Sequence, residues 1–355
     1  MTVAPATAMG INLKLFAGSS SESAALIADH TVGDYSKSEE LIAFAQGCDV
    51  VTFEHELVPQ SVIRSLEAAG VKVYPRAETF IYSQNKIEMR KKMDELGIRN
   101  PKWEIFDSGE PSLSFPLIAK SSSGGYDGRG VFVVNSHAEL EEVRRGVGAP
   151  LLLEEKLPFT HELAIMVARS PHGQASTWAP TLTVQSDGIC TMTVTPIPGI
   201  TDAQAVRAAE IALKIADGVK LVGVMAVELF EVDGELIVNE LAMRPHNSGH
   251  WSIEGAKTSQ FEQHLRAILD LPLGSTALTA DWAVMGNLLG GEKSDMYRPY
   301  LHLMARTPAL KFHQYRKEVR PGRKIGHVTL IGSELEFIQS EVAHAVDYMS
   351  GAVDE

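Results

Sequence analysis

The segment from Pro116 to Val134 constrains this chain most. It reads as a strand ending in lysine (Pro116 to Lys120), a loop with four glycines (Ser121 to Gly130) and a second strand (Val131 to Val134). Glycine lets backbone N–H groups come close to phosphate oxygens, and a lysine at the loop's edge neutralises their charge. The loop is neither a GxxxxGK[ST] P-loop nor a GxGxxG dinucleotide turn. Its plain alternative is a hairpin loop whose glycines serve only to turn the chain.

Around this segment, the length of 355 residues predicts two or three domains. Met1 to Gly10 reads as the apolar body of a first helix. Strands at Ile11 to Ala17, Val50 to Phe53 and Val71 to Tyr74 alternate with helices at Ser21 to Ala28, Ser38 to Gln46 and Pro59 to Ala69. That alternation predicts a parallel sheet with crossover helices. Asn85 to Gly97 reads as a charged amphipathic helix that Gly97 stops. Beyond it the order changes to α+β: several strands from Leu151 to Thr195, a helix over Asp202 to Ala216, and a hairpin over Val222 to Ala242 that turns at Asp233-Gly234. Helices at Ser259 to Leu269 and near Glu334 to Met349 follow. Boundaries are expected near residues 76–100 and 272–280.

Several classes of function are disfavoured. With 32 Lys and Arg against 45 Asp and Glu, the net charge of −13 speaks against nucleic acid or an anionic membrane as the main partner. The two cysteines, Cys48 and Cys190, make neither a disulfide scaffold nor a Cys-rich zinc site. No apolar run approaches the roughly 20 residues that span a bilayer, and no signal peptide is read at the start. A cytoplasmic location is the expectation.

Four further clusters carry chemistry. The hairpin holds Glu228 on one strand and Asn239 and Glu240 on the other. A two-residue turn sets Glu228 opposite Asn239; a three-residue loop with a bulge sets it opposite Glu240. Either register gathers three oxygen-bearing side chains, which suits Mg²⁺ shared with phosphate oxygens. The alternative is ordinary solvent-facing alternation. Directly after it, Arg244-Pro-His-Asn-Ser-Gly-His250 is rich in donors to anions. His246 and His250 alone make a weak case for a metal, and a polar capping loop is the plainer reading. Lys317, Arg320, Arg323 and Lys324 form a basic island that either grips a phosphate monoester or is a solvated face. Glu54 and Glu56 follow the short strand at Val50 to Phe53, the carboxyl end at which open α/β sheets bind ligands. No GxSxG elbow is present, and neither cysteine has an activating setting.

Together GGYDGRG, VELFEVDGELIVNELAMRPHNSGHW, TSQFEQHLRA and KEVRPGRKIGH resemble the 5-(carboxyamino)imidazole ribonucleotide synthases of the ATP-grasp superfamily, over nearly the whole chain from about Asp49. GGYDGRG combined with RPHNSGHW is highly specific. The resemblance implies an α/β and α+β ATP-grasp fold. Its parts would be an N-terminal open α/β domain (residues 1–80), an ATP-grasp region (81–275) with a lid at about 103–165, and a C-terminal domain (276–355). ATP would contact Lys86, Lys120, Gly125, Tyr126, Asp127, Gly128, Arg129, Gly130, Glu154 and Glu155 (through the backbone), Glu162 and Asn239. Glu228 and Glu240 match the Mg²⁺ ligands. Arg244 and His246 match the residues at bicarbonate and carboxyphosphate, with Tyr126 and Asp127 near the attacking amine. Lys317 and Arg323, less securely Lys324 and Arg320, match the grip on the nucleotide 5′-phosphate, and Glu54 and Glu56 fall on the substrate side.

The reaction implied is ATP- and bicarbonate-dependent carboxylation of 5-aminoimidazole ribonucleotide in purine biosynthesis, by a homodimer. The family begins with a strand and a GxGQL-type loop, which are not read ahead of the first helix. A chain without them is expected to keep its ATP site, and a nucleotide-binding protein with lost catalysis is the second reading. Another ATP-grasp ligase is a third, opposed by Tyr126-Asp127 and by RPHNSGH.

Overall fold

Among the described residues three sheets organise the fold, with two, nine and four strands. The computed structural model describes residues 1–355 apart from 22, 125–129, 149, 187, 292–294 and 354–355.

The N-terminal part opens on the helix Val3–Ala8, as its alanine-rich sequence predicts. The strand Lys14–Ala17 then pairs in parallel with Asp29–Val32. The expected continuous sheet is in two pieces. The strands read at Val50 to Phe53 and Val71 to Tyr74 contract to one parallel bridge, Val51 to Val73. The helix read over Ser21 to Ala28 is a single 3₁₀ turn, Ser23–Leu26. Asp29–Val32 was not legible because all four residues are exposed, so no apolar alternation marks it. The helix Gln60–Ala68 buries Val62, Ile63 and Leu66 on one face, as its apolar spacing requires.

Asn85 caps the next helix, Lys86–Glu95: its side chain accepts from Ile87 N at 3.0 Å and Glu88 N at 3.1 Å. Gly97 ends it in the left-handed region at φ 59°. The four-stranded sheet follows in the order Trp103–Phe106, Leu151–Glu155, Leu117–Ser121, Val131–Val134. It has its own core, in which Phe106, Leu117, Leu140, Leu151 and Leu153 pack together.

The large sheet runs in the order Glu235–Ala242, Gly223–Val232, His161–Arg169, Thr181–Ser186, Ile189–Thr195, Trp282–Leu289, Lys324–Gly332, Lys311–Gln314, with Ala175–Thr177 paired beside His161–Arg169. It is continuous across the segment at 272–280, because Ile189–Thr195 pairs with Trp282–Leu289. Period-two alternation divides its faces. Leu163, Ile165 and Val167 enter the core shared with the N-terminal helices. Met166 and Ala168 pack on the other side with Trp251. Among the described residues no helix is long and apolar enough to cross a membrane.

One buried histidine ties the N-terminal part to this sheet. His264 Nδ1 accepts from Val224 N at 3.1 Å, and its Nε2 donates to Thr52 Oγ1 at 2.7 Å. The first bond needs the neutral ring, because a protonated Nδ1 cannot accept. Burial pushes its pKa down to about 4, against a smaller opposing pull from Glu54. Between that value and 6.5 the unfolded chain binds a proton that the folded one refuses. This contribution is complete above pH 6.5 and is lost as pH falls towards 4, by about 3 kcal/mol. Urea midpoints of the wild type and His264→Gln at pH 7 and 4.5 check this: the wild type should lose more stability between the two. Equal losses would remove His264 as the cause.

Candidate active site

The site is built on the hairpin. Asp233 and Gly234 both take left-handed backbone, at φ 52° and 81°, as a two-residue hairpin turn requires. Pairing runs from Val232–Glu235 to Leu229–Val238, then slips so that Glu228 faces Glu240. The two-residue turn and the Glu228–Glu240 pairing, alternatives in the sequence, therefore occur together. The extra residue, Asn239, is in the strand rather than in the turn. A regular strand shows only every second side chain to one face, whereas a bulge re-aims a side chain. Asn239 and Glu240, though adjacent, both reach cations at the site.

Those cations come from two other elements. Lys86, first residue of its helix, pairs through Nζ with Glu240 Oε1. Lys120, on the strand before the glycine loop, donates to Asn239 Oδ1 at 3.1 Å and pairs with Glu154 Oε2 at 2.8 Å. The glycine loop joins antiparallel strands, Lys120 facing Val131, so the hairpin reading of its geometry is correct and compatible with phosphate binding. Of the loop, Gly130 is described, its carbonyl accepting from Ser121 N at 2.9 Å. Gly125, Tyr126, Asp127, Gly128 and Arg129 lie outside the described residues.

The charges are unequal in their settings. Burial, then the neighbouring Glu240 charge, raises the Glu228 pKa. For Glu240 burial acts the same way, but Lys86 and then Lys120 and Arg90 outweigh it and hold the carboxyl below its usual range. Burial lowers the Lys120 pKa, opposed by Glu154. Glu162, half-buried on the adjacent strand, is raised by burial. Among the described residues no group of three or more His, Cys, Asp or Glu side chains is arranged to hold a metal unaided. Two crowded carboxylates, one of them resisting ionisation, still fit an ion whose other ligands are phosphate oxygens.

The donor-rich loop closes the other end. Arg244 Nη2 lies 3.3 Å from Glu56 Oε2, and its Nη1 donates to Pro245 O at 3.1 Å. Its Nε is buried with no partner among the described residues. Glu56 also accepts from Met243 N at 3.1 Å, so it orients Arg244 from the N-terminal side. His246 Nε2 lies 3.6 Å from Glu228 Oε1. Burial, then Arg244, lowers the His246 pKa well below its usual value, so the ring is neutral. Lys324 bonds Asn247 Oδ1 and so joins the basic segment to this loop.

Other expected residues have different partners. Arg323 is exposed and 3.9 Å from Glu318, which also pairs with Arg320. Lys317 lies over the Tyr315 ring, 5.4 Å from its centroid. Glu54 is exposed and bonds the Thr2 hydroxyl. The Glu155 side chain accepts from Lys102 N at 2.9 Å.

Two residues of the site were not singled out from sequence. Gln260, fully buried, accepts from His246 N at 2.8 Å and donates to His246 O at 2.7 Å and His250 Nδ1 at 2.9 Å. Arg90, fully buried, donates to Glu154 Oε1 at 2.7 Å. Its signal was its place in the helical period: Lys86, Met89, Arg90 and Met93 form one buried face.

Three family descriptions match the chain in order: the ribonucleotide synthetase preATP-grasp domain at residues 1–84, the ATP-grasp domain at 91–261, and the phosphoribosylaminoimidazole carboxylase C-terminal domain at 283–341. The N5-carboxyaminoimidazole ribonucleotide synthase of Mycobacterium leprae is 42% identical, over 94% of this chain and 82% of its own. The Thermus thermophilus N5-carboxyaminoimidazole ribonucleotide synthetase superposes with a TM-score of 0.90 at 31% identity, over 100% of this chain and 96% of that one. The Aspergillus clavatus enzyme, solved in complex with ADP and 5-aminoimidazole ribonucleotide, gives 0.89 at 29% identity, over 99% and 96%.

Proposed function

Since the chain belongs to the N5-carboxyaminoimidazole ribonucleotide synthase family, we propose the following division of its residues around that chemistry. The enzyme is an ATP-grasp ligase that carboxylates 5-aminoimidazole ribonucleotide to N5-carboxyaminoimidazole ribonucleotide in purine biosynthesis, using ATP. One observation supports the division above the others: Lys86, Lys120, Asn239, Glu240, Glu228 and His246 form a single chain of contacts along one face of the hairpin.

ATP would lie between the four-stranded sheet and the hairpin. Lys86 and Lys120 would face its phosphates, and the loop of Gly125, Tyr126, Asp127, Gly128, Arg129 and Gly130 would cover them. Glu154 and Glu155 would meet adenine through their backbone, and Glu162 would accept from the ribose. Glu228 and Glu240, beside Asn239, would hold Mg²⁺. A bound Mg²⁺ supplies charge neutralisation at the β- and γ-phosphates.

The carbon source in this proposal is bicarbonate. An oxygen of bicarbonate attacks the γ-phosphorus and ADP leaves, giving carboxyphosphate. Arg244, oriented by Glu56 and carrying its unpartnered Nε, would hold that anion, with neutral His246 beside it. The exocyclic amine of the ribonucleotide takes the carboxyl carbon, phosphate departs, and Asp127 orients the amine or accepts its proton, with Tyr126 close by. Such chemistry needs positioning and charge stabilisation rather than a protein nucleophile. Lys317, Arg323 and Lys324 would receive the 5′-phosphate, and Glu54 and Glu56 would border the ribonucleotide. The proposal includes a homodimer, a cytoplasmic setting, and domains divided at residues 80 and 275.

ADP release with Mg-ATP and bicarbonate, measured with and without 5-aminoimidazole ribonucleotide, tests it. Strong stimulation by the ribonucleotide is expected. Nucleotide binding without stimulation would favour a non-catalytic nucleotide-binding protein.

A further inference from the structure

We propose that Arg90 is a positioning residue for the ATP site, acting by holding the bulge at Asn239. This rests on the ATP-binding reading above. The bulge gives the site its chemistry, because without it Asn239 and Glu240 would point to opposite faces of the sheet. Strand pairing does not hold it: Val238 is paired with Leu229 and Glu240 with Glu228, while Asn239 has no partner across the hairpin. The missing support comes from the helix Lys86–Glu95. Arg90 Nη1 donates to Val238 O at 2.9 Å and Nη2 to Asn239 O at 2.8 Å. The guanidinium fork therefore spans two successive carbonyls, at the bulge residue and the one before it. Its third arm, Nε, donates to Glu154 Oε1 at 2.7 Å.

Glu154 makes this a link between two sheets. Its other oxygen, Oε2, pairs with Lys120, and Lys120 donates to Asn239 Oδ1. The ring closes: bulge carbonyl, Arg90, Glu154, Lys120, bulge side chain. Arg90 is fully buried and Glu154 is 2% exposed, so water does not substitute for any of these partners. Lysine carries the same charge but has no planar fork, so it cannot hold both carbonyls and the carboxylate in this geometry. The helix that begins with Lys86 thus serves the site twice, with Lys86 on Glu240 and Arg90 one turn later on the backbone behind it.

The test uses the full chain. Arg90→Lys keeps the charge beside Glu154 and removes the fork. Expected results are a single cooperative thermal transition at a lowered midpoint, since buried carbonyls lose donors, with the chain still folded at 25 °C. Mg-ADP affinity should be weakened there about tenfold or more by calorimetry, with a matching rise in KM for Mg-ATP. KM for 5-aminoimidazole ribonucleotide should move less than about twofold, because its site lies on other elements. Wild-type Mg-ADP affinity in Arg90→Lys overturns the proposal, as does equal weakening of both substrates. As a second variant, Arg90→Gln with Glu154→Gln removes both members of the Arg90–Glu154 ion pair, and Glu154→Gln alone is its reference because both leave Lys120 equally without its carboxylate partner. Compared with Glu154→Gln alone, it should show a further loss of Mg-ADP affinity. No further loss, or failure of both variants to fold, assigns Arg90 to the core alone. Because Mg-ADP binding is read without turnover, a wild-type chain that binds Mg-ADP but is not stimulated by the ribonucleotide sinks the carboxylase reading and leaves this one standing or falling on its own result.

Discussion

Arg244→Ala is expected to abolish coupled turnover while leaving nucleotide binding close to normal. The argument begins with an unsatisfied atom. Buried polar groups are almost always hydrogen-bonded, yet the Arg244 Nε is buried and has no partner among the described residues. The guanidinium is meanwhile held still, by Glu56 at 3.3 Å and Pro245 O at 3.1 Å. A fixed cation with a spare donor suits an anion that forms during the reaction. Donors placed where charge develops are typically worth about a hundred- to a thousandfold in kcat. That fall should appear in ribonucleotide-stimulated ADP release, with Mg-ADP affinity changed less than about twofold. Near-normal turnover would refute the role. A parallel collapse of Mg-ADP affinity would show that Arg244 supports the hairpin instead. Glu56→Gln should reproduce part of the loss, since Glu56 orients Arg244 and also accepts from Met243 N.

The second large effect is expected at the carboxylate pair. Glu240→Gln keeps the size of the side chain and removes its charge. It leaves Lys86, 8% exposed, without its ion-pair partner, and takes one charged oxygen from the place proposed for Mg²⁺. Loss of metal-assisted charge stabilisation costs several kcal/mol of barrier, which corresponds to about a thousandfold or more in rate. The midpoint of Mg²⁺ activation should rise as well. Glu228→Gln should also raise that midpoint, but by less. Burial and the Glu240 charge already hold Glu228 towards its neutral form, so removing its charge changes the site's electrostatics less. Equal activity of Glu240→Gln and the wild type at low Mg²⁺ would remove this pair as the metal site.

Much of this protein is written locally. The turn at Asp233-Gly234 follows from two residues that accept left-handed backbone, and the structure has it there. Asn85 and Gly97 bracket their helix as cap and stop, with Gly97 in left-handed backbone. The strands around the glycine loop were legible from their apolar runs, and Lys120 was marked by its position before it. The short N-terminal strands were less legible. Where each residue is exposed, or where only one bridge forms, pattern carries little signal. Helix Tyr297–Arg306 was likewise not read from its sequence.

What the sequence by itself determined were the elements, their punctuation and the residue types gathered in each cluster, because these depend on neighbours within about one turn or one hairpin. Tertiary structure decided which of those residues meet. Lys86 finds Glu240 across 154 residues, and Arg90 finds Asn239 across 149. The bulge in the hairpin is met by a guanidinium from another element, on the carbonyls of Val238 and Asn239. A strand's alternation predicts one register, and here contacts from outside the strand meet the bulge carbonyls and side chain. That slip places two adjacent polar residues where a lysine from a helix and a lysine from the four-stranded sheet reach them.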